Sequence, residues 1–225
     1  MCGRFSLFAP QEDLSKRFGA DVAFDYEPRY NIAPRTDIAS ICNTDSEHIV
    51  EQEWGLLPHW ADGTDDEPRP INARSETVAE KNMFKYAFEE RRCLIPSDGF
   101  FEWQGDRGSK QPYFVHLTEI DPFAIAGIWN RWEGNGESLE TVTILTTEPN
   151  EVVEPIHDRM PVILEPEDEE DWLKGDPDEA LAVCDPYNGG DMEAYEISTA
   201  VNNPGNEGPE LVEPSDTEQS GIGEF

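Results

Sequence analysis

The chain has 225 residues, with 49 Asp plus Glu against 16 Lys plus Arg, a formal net charge of -33 and a pI near 4.1. That length fits one large domain or two small ones, and an aromatic content of 10% excludes disorder throughout. The acidity disfavours a purely electrostatic nucleic-acid binder, and no apolar run approaches the roughly 20 residues of a membrane span.

Residues 10–18 read as a short helix, with Pro10 at its start, acids in the first turn, Leu14 and Phe18 on one side and Gly19 after it. Residues 38–42, 49–57 and 93–103 read as strands, the last broken at Pro-Ser-Asp-Gly. Ser75 is expected to cap a helical stretch over 75–81, with Glu76 in its first turn, and 83–92 reads as a second helix. Residues 112–117, 123–132 and 139–147 are three β-rich runs separated by Asp-Pro and Gly-Asn-Gly turns. Pro166 opens an acidic amphipathic helix that Gly175 closes, with Trp172 and Leu173 as its buried pair. The tail over 215–225, rich in Ser, Gly and acid, is expected to be disordered. Strands outnumber helices and follow one another without regular helical crossovers. The expected class is therefore antiparallel α+β and not a doubly wound sheet.

Residues 1–164 hold 30 acids and 15 bases, and residues 165–225 hold 19 acids with Lys174 as the sole base. Acid spread over both parts reads as a halophile-type surface rather than an acidic tail alone. Molar salt shortens the Debye length to roughly 3 Å and screens the self-repulsion of such a surface. The expected result is a melting temperature that climbs from dilute buffer to multimolar KCl; an unchanged value contradicts the halophile reading. The start, Met-Cys-Gly-Arg-Phe, lacks the apolar region of an export signal, so a soluble cytoplasmic protein is expected.

The 4 Cys, at 2, 42, 93 and 184, form no C-x-x-C pair and no Cys–His spacing suited to zinc. No metal or organic cofactor is expected. Cys42, Cys93 and Cys184 lie in apolar runs and read as buried reduced thiols. Cys2 differs, because excision of Met1 ahead of a small residue leaves it as the N-terminus. One residue then carries a thiol of pKa about 8.5 and an α-amine of pKa about 7.7–8.0. With an aldehyde, the amine forms a Schiff base and the thiol adds to the imine, closing a five-membered thiazolidine. Alone, such a residue is more often an ordinary one at a frayed terminus.

Three other segments bear on that choice. Residues 155–161 pack His157, Asp158 and Arg159 between two prolines. Residues 71–76 put Asn72 and Arg74 two apart, hence on one side of an extended chain. Residues 98–103 set Glu102 in an aromatic run, where desolvation raises a carboxyl pKa and suits it to acid/base work. Singly, each fits a bland role: a satisfied core His, a salt-bridged Arg, a strand-edge Glu. With a nucleophilic N-terminus they make a reaction centre.

The chain resembles the SRAP (SOS-response-associated peptidase) family, whose members covalently shield abasic sites in single-stranded DNA. The resemblance runs through Met-Cys-Gly-Arg-Phe (1–5), Tyr-Asn-Ile-Ala-Pro-Arg (30–35), Trp-Gly-Leu-Leu-Pro-His-Trp (54–60) and Ile-Asn-Ala-Arg-Ser-Glu-Thr (71–77). It continues through Arg-Cys-Leu-Ile-Pro-Ser-Asp-Gly-Phe-Phe-Glu-Trp (92–103), Ala-Gly-Ile-Trp (126–129), Thr-Ile-Leu-Thr-Thr-Glu-Pro-Asn (143–150), Ile-His-Asp-Arg-Met-Pro-Val-Ile-Leu (156–164) and the blocks of 201–214. It implies one SRAP-like domain over 2–214, a curled, barrel-like antiparallel sheet with short peripheral helices, acting as a monomer. It implies that Cys2 ends as the thiazolidine on C1′ of the open-ring sugar, that Glu102 shuttles protons, that His157 protonates or holds the sugar oxygen, and that Asn72 hydrogen-bonds the sugar or the nucleophile region. Arg4, Arg74 and Arg159 would bind flanking phosphates, Trp60 and Trp103 would stack on bases, and Pro34 and Thr146 would line the pocket. The implied partner is single-stranded DNA containing abasic sites. Two positions depart from the family's pattern: Glu53 before Trp54 and Gly205 after Asn-Asn-Pro stand where a basic residue is usual, which weakens phosphate contacts rather than the chemistry.

Two other classes remain open at this stage. An N-terminal-nucleophile amidase also begins Cys-Gly after loss of Met1, with its own amine as base, although the blocks from 71 to 161 do not resemble that family. A non-catalytic single-strand binding module would use the Trp and Arg residues without Cys2.

Overall fold

The chain begins with β1 (Phe5–Leu7), α1 (Gln11–Phe18), β2 (Asp21–Val22), β3 (Arg29–Ile32), β4 (Asp37–Cys42) and β5 (Asp45–Trp54). It continues with β6 (Asn72–Arg74), α2 (Ser75–Val78), α3 (Lys85–Glu90), β7 (Arg92–Ser97), β8 (Gly99–Gln104) and β9 (Gln111–Leu117). Two long strands, β10 (Phe123–Gly134) and β11 (Glu137–Thr147), precede β12 (Met160–Pro161) and β13 (Ile163–Leu164). Last come α4 (Glu169–Lys174), α5 (Pro177–Ala182), β14 (Met192–Glu196) and two 3-10 turns, Thr199–Asn202 and Pro209–Leu211. The structure is a computed structural model and describes residues 2–63, 68–106, 108–120, 122–134 and 136–215. Met1 and the expected tail after Ser215 lie outside the described residues.

Five strands close into a barrel in the order β5–β4–β7–β10–β11. Four junctions are antiparallel, and β11 returns to β5 in parallel through Thr141↔Glu53 and Val142↔Trp54. β6 also runs parallel to β11, Asn72 facing Ile144 and Arg74 facing Thr146. A second, wholly antiparallel sheet runs β14–β9–β8–β1–β3. The α+β class with a curled, barrel-like sheet and short helices is what the structure shows. Three parallel pairings depart from an all-antiparallel sheet: β5 and β6 each with β11, and β2 with β5.

Burial explains why the central strands read as continuous apolar runs: every residue from Phe123 to Asn130 is buried. Gly127 makes that packing possible, since a Cβ there would lie 2.7 Å from Ile95 Cδ1 and 2.9 Å from Cys93 Sγ. The sheets meet edge-to-face at Phe5 and Trp54, ring centroids 5.3 Å apart. The expected strand over 93–103 is two strands in different sheets, and the break at Pro-Ser-Asp-Gly is the crossing. Buried Asp98 anchors that crossing by accepting from the backbone N–H groups of Phe8 and Ala9. Cys42, Cys93 and Cys184 are buried free thiols.

Several boundaries move for local reasons. Ser75 does not cap the helix over 75–81. It is buried in the first turn of a shorter α2, because Asn72–Arg74 is tied to β11 and the chain cannot bend earlier. The strand expected over 49–57 starts at Asp45, where it forms a tight hairpin with β4, and stops at Trp54 because Gly55 takes φ 142°. The helix expected from Pro166 starts three residues later, but Trp172 and Leu173 are its buried pair and Gly175 follows it. The short α5 was unforeseen, although Asp176, Pro177 and Glu179 spell a capping box with Pro at N1.

Candidate active site

The two sheets bring the two ends of the chain together. Phe5 pairs with Phe100, and Phe101 N–H donates to Arg4 O at 3.0 Å, so β1 lays the N-terminus alongside β8. Alternation along β8 then sorts its side chains. Phe100 enters the main core, while Phe101 joins Phe114, Ile197 and Val201 on the opposite side, with Trp103 packed against them. Glu102 shares the face of Phe100 and is 2% exposed. Burial, the dominant cause, pushes its carboxyl up to about 7.

His157 arrives on the loop after β11. Asn150 shapes that loop by accepting from Val152 and Val153 N–H at 3.1 and 3.0 Å, and His157 N–H donates to Val153 O at 2.9 Å. The imidazole Nε2 stands 3.9 Å from Glu102 Oε2. Its Nδ1 lies 3.0 Å from Arg159 N, 3.2 Å from Arg159 O and 3.1 Å from Asp158 Oδ1, so either ring tautomer finds a partner there. Burial lowers the His157 pKa while it raises that of Glu102, so near neutrality the pair holds a proton with little net charge.

Cys2 is fully buried. Its Sγ lies 3.8 Å from Arg4 O, and its carbonyl accepts from Asn72 Nδ2 at 2.8 Å, linking β6 of the barrel to the N-terminus. Desolvation first, and the Glu102 charge second, hold the thiol far above its ordinary range. Asn72 thus touches Cys2, His157 faces Glu102, and the Glu102 charge reaches the Cys2 thiol, so the four residues lie near one another where the two sheets meet.

The other sequence-derived candidates are placed unevenly. Arg74 is exposed two residues from Asn72. Arg4 is half-buried, its Nη1 donating to Asn31 Oδ1 at 2.6 Å and Val201 O at 2.9 Å. Arg159 is buried, forked onto both oxygens of Glu76, with Nη2 also donating to Thr146 O at 2.6 Å. Thr146 is itself buried, its hydroxyl donating to Ala73 O at 3.4 Å, so it ties β6 to β11. Pro34 is half-buried beside Arg35, which adopts φ 70° and donates its N–H to Trp54 O. Trp103 is pinned by its Nε1–Asn202 Oδ1 bond of 2.7 Å. Trp60 is 52% exposed, next to Ala61, whose carbonyl accepts from Trp132 Nε1. Trp132 pairs with Leu139, which lies roughly 24 Å along β11 from Thr146.

Residue-by-residue reading missed two side chains that organise this site. Asn31 is buried and donates to Asn203 O and Asn206 O at 3.0 and 2.9 Å while accepting from Arg4, so it ties the C-terminal segment over the N-terminal strand. It lies in the Tyr-Asn-Ile-Ala-Pro-Arg block, which does not mark its partners 172 and 175 residues away. Glu76 is the other, since it holds Arg159, whose backbone N–H lies 3.0 Å from His157 Nδ1. Glu76→Ala leaves a buried guanidinium without its carboxylate, and a loss of roughly 1–3 kcal/mol is expected. Urea unfolding of the two proteins checks it, an unchanged midpoint being the contrary result. Glu53, noted as a departure, accepts from Arg69 Nη2 at 2.6 Å and lies 3.4 Å from Arg35 Nη1.

The family described as SOS response associated peptidase (SRAP) matches residues 1–204. Abasic site processing protein YoqW of Bacillus subtilis (strain 168) is 43% identical over 222 residues, covering 95% of this chain and 99% of that protein. Abasic site processing protein YedK of Escherichia coli (strain K12) is 33% identical over 227 residues, covering 95% of this chain and all of its relative (100%). An X-ray crystal structure of a protein from Bacteroides thetaiotaomicron superposes with a TM-score of 0.86 at 29% identity, over 95% of this chain and 100% of that one.

Proposed function

This chain belongs to the SOS response associated peptidase family, and from that premise we propose that it processes abasic sites in DNA by capturing them covalently in single strands. The observation that carries the reading is the proximity of Cys2, Asn72, Glu102 and His157, drawn from both sheets and a loop.

In this reading Met1 is excised, and the α-amine of Cys2 attacks C1′ of the open-chain sugar. The order follows from the thiol's suppressed acidity: with almost no thiolate present, the amine acts first. Glu102, neutral for part of the time at pH 7, donates the proton with which the carbinolamine hydroxyl departs as water. The resulting imine carries positive charge on nitrogen, and the Cys2 sulfur adds to C1′. The thiol proton passes to Glu102 as the ring closes, and the nitrogen ends as a neutral ring amine. The reverse sequence releases the sugar. His157 holds the sugar oxygen as the ring opens, and Asn72 fixes the Cys2 carbonyl. Arg74 supplies a phosphate contact beside the lesion. Arg4 and Arg159, engaged by Asn31 and Glu76, act on DNA only from those fixed positions.

The working unit is a single domain over 2–214, a cytoplasmic monomer whose covalent bond makes capture independent of a basic overall surface. No helix of the described residues is long and apolar enough to cross a membrane. Intact mass tests the proposal: the chain short by one Met, then a DNA-sized addition that survives denaturation after incubation with a single-stranded oligonucleotide carrying one abasic site. A processed N-terminus that gives no addition at any salt concentration overturns it.

A further inference from the structure

β8 ends at Gln104, two residues after Glu102, so alternation puts both side chains on one face of the second sheet. The register carries that face across the neighbouring strands: Glu102 lies opposite Tyr113 of β9, and Tyr113 opposite Glu196 of β14. From this setting Gln104 reaches out of the sheet. Its Nε2 donates to Pro155 O at 2.7 Å, across 51 positions of the chain. That bond fixes the orientation of the amide, because its oxygen in the same place would face another carbonyl oxygen. The Gln104 Oε1 then lies 3.3 Å from the Tyr113 hydroxyl, which lies 2.9 Å from Glu196 Oε1.

Pro155 stands two residues before His157 on the loop after β11. Gln104 therefore meets residue 155 where Glu102 meets residue 157, at 2.7 and 3.9 Å. The pairing is that of two antiparallel chains in register, made by side chains instead of a backbone ladder. Other bonds shape the loop and tie its ends. Glu154 N–H donates to Asn150 O, Asn150 Nδ2 donates to Tyr187 O at 2.7 Å, and Arg159 is forked onto Glu76. The bond from Gln104 acts across the gap that separates His157 from Glu102. At 3.9 Å that gap is longer than a hydrogen bond, so a small shift of the loop either closes the pair or opens it to water.

We propose that Gln104 is a positioning residue for His157: its amide holds the Pro155 carbonyl against β8 and so keeps the imidazole facing the Glu102 carboxyl. The assignment rests on the abasic-site reading above, in which that pair serves the sugar.

Two readouts test it, one of them free of DNA. Gln104→Met keeps the length and the neutral charge of the side chain and removes the donor. The first readout is the titration of His157, followed by NMR of the ring Cε1–H and assigned with His157→Gln. Burial is the largest cause of the lowered His157 pKa, so a loop released from β8 is expected to titrate higher, toward the ordinary histidine value of about 6.5. The charged groups near the ring are Glu102 on β8, Asp158 on the loop and Lys110 just before β9, and the substitution changes none of them. The second readout is the rate of capture of a single-stranded oligonucleotide carrying one abasic site. At saturating strand it is expected to fall roughly tenfold, short of the roughly 10²-fold that a misplacement of about 1 Å can cost, with the half-saturating concentration unchanged. Gln111→Met is the control. Gln111 lies opposite Gln104 on β9, its Nε2 donates to Pro112 O and Ile197 O, and both readouts are expected to stay at wild type. An unshifted His157 titration in Gln104→Met overturns the assignment, as does a wild-type limiting rate or an equal change in Gln111→Met. If wild-type protein forms no adduct, the abasic-site reading fails, and a shifted titration still establishes that Gln104 positions His157.

Discussion

Cys2→Ala is expected to eliminate the adduct that survives denaturation, with no residual fraction. The substitution removes the sulfur and keeps the N-terminal amine, because alanine is also small enough for Met1 to be excised ahead of it. Schiff-base formation therefore persists and ring closure does not. Borohydride should trap a reduced imine in the variant under conditions where no adduct is recovered without it. Losing one buried sulfur costs about 1 kcal/mol, so the variant folds and binds DNA. Three outcomes separate the three classes. Loss of the stable adduct with a trappable imine supports thiazolidine capture. Loss of amide turnover, with no adduct in the wild type, supports an amidase. Unchanged behaviour in every assay supports a binding module.

Glu102→Gln is expected to slow adduct formation by roughly 10²–10⁴-fold, the usual contribution of a positioned acid. Its pH profile is more telling than its rate. Capture needs a neutral amine, favoured as pH rises through about 7.7–8.0, and a protonated Glu102, lost as pH rises through about 7. Their product is a bell with its maximum near pH 7.4, roughly midway between the two values. Glu102→Gln should abolish the alkaline fall and leave a rate that only climbs. A variant that keeps the bell excludes Glu102 as the acid.

The same residue links activity to stability. A carboxyl whose folded pKa is raised stabilises the fold below its unfolded pKa of about 4.3, and that contribution is lost as pH rises through about 7. The glutamine variant, free of that titration, should gain stability relative to wild type above pH 7, on the order of 3 kcal/mol. Chemical denaturation at pH 5 and pH 8 reads the difference.

Much of this site was legible in the sequence because its chemistry is local. Glu102 lies in Phe-Phe-Glu-Trp, and the aromatic neighbours that made its burial foreseeable are the ones that desolvate it. Asn72 and Arg74 were placed two apart on an extended chain, and β6 is extended. What stayed hidden was long-range partnership. Nothing near Arg159 says that it is held by Glu76, since the two are 83 positions apart in sequence and meet only because β6 runs beside β11. The parallel pairing of β5 with β11 was hidden for the same reason: alternation marks a strand but not its neighbour. Ser75 was misread because helix signals cannot show that the preceding residues are tied into a sheet.

The bond from Arg4 Nη1 to Val201 O joins residues 197 apart in the chain, and that span imposes an order of events during synthesis. At roughly 5–20 residues per second, the ribosome takes about 10–40 s to add the segment that covers the N-terminal strand. On the proposed reading, the terminal methionine would be open to its aminopeptidase throughout that interval, before the site that would use the freed amine is assembled. The terminus would thus be unmasked on a nascent chain and sheltered only when translation is nearly complete. A truncation that stops short of Val201 would be made with its amine and thiol displayed to every aldehyde in the cell.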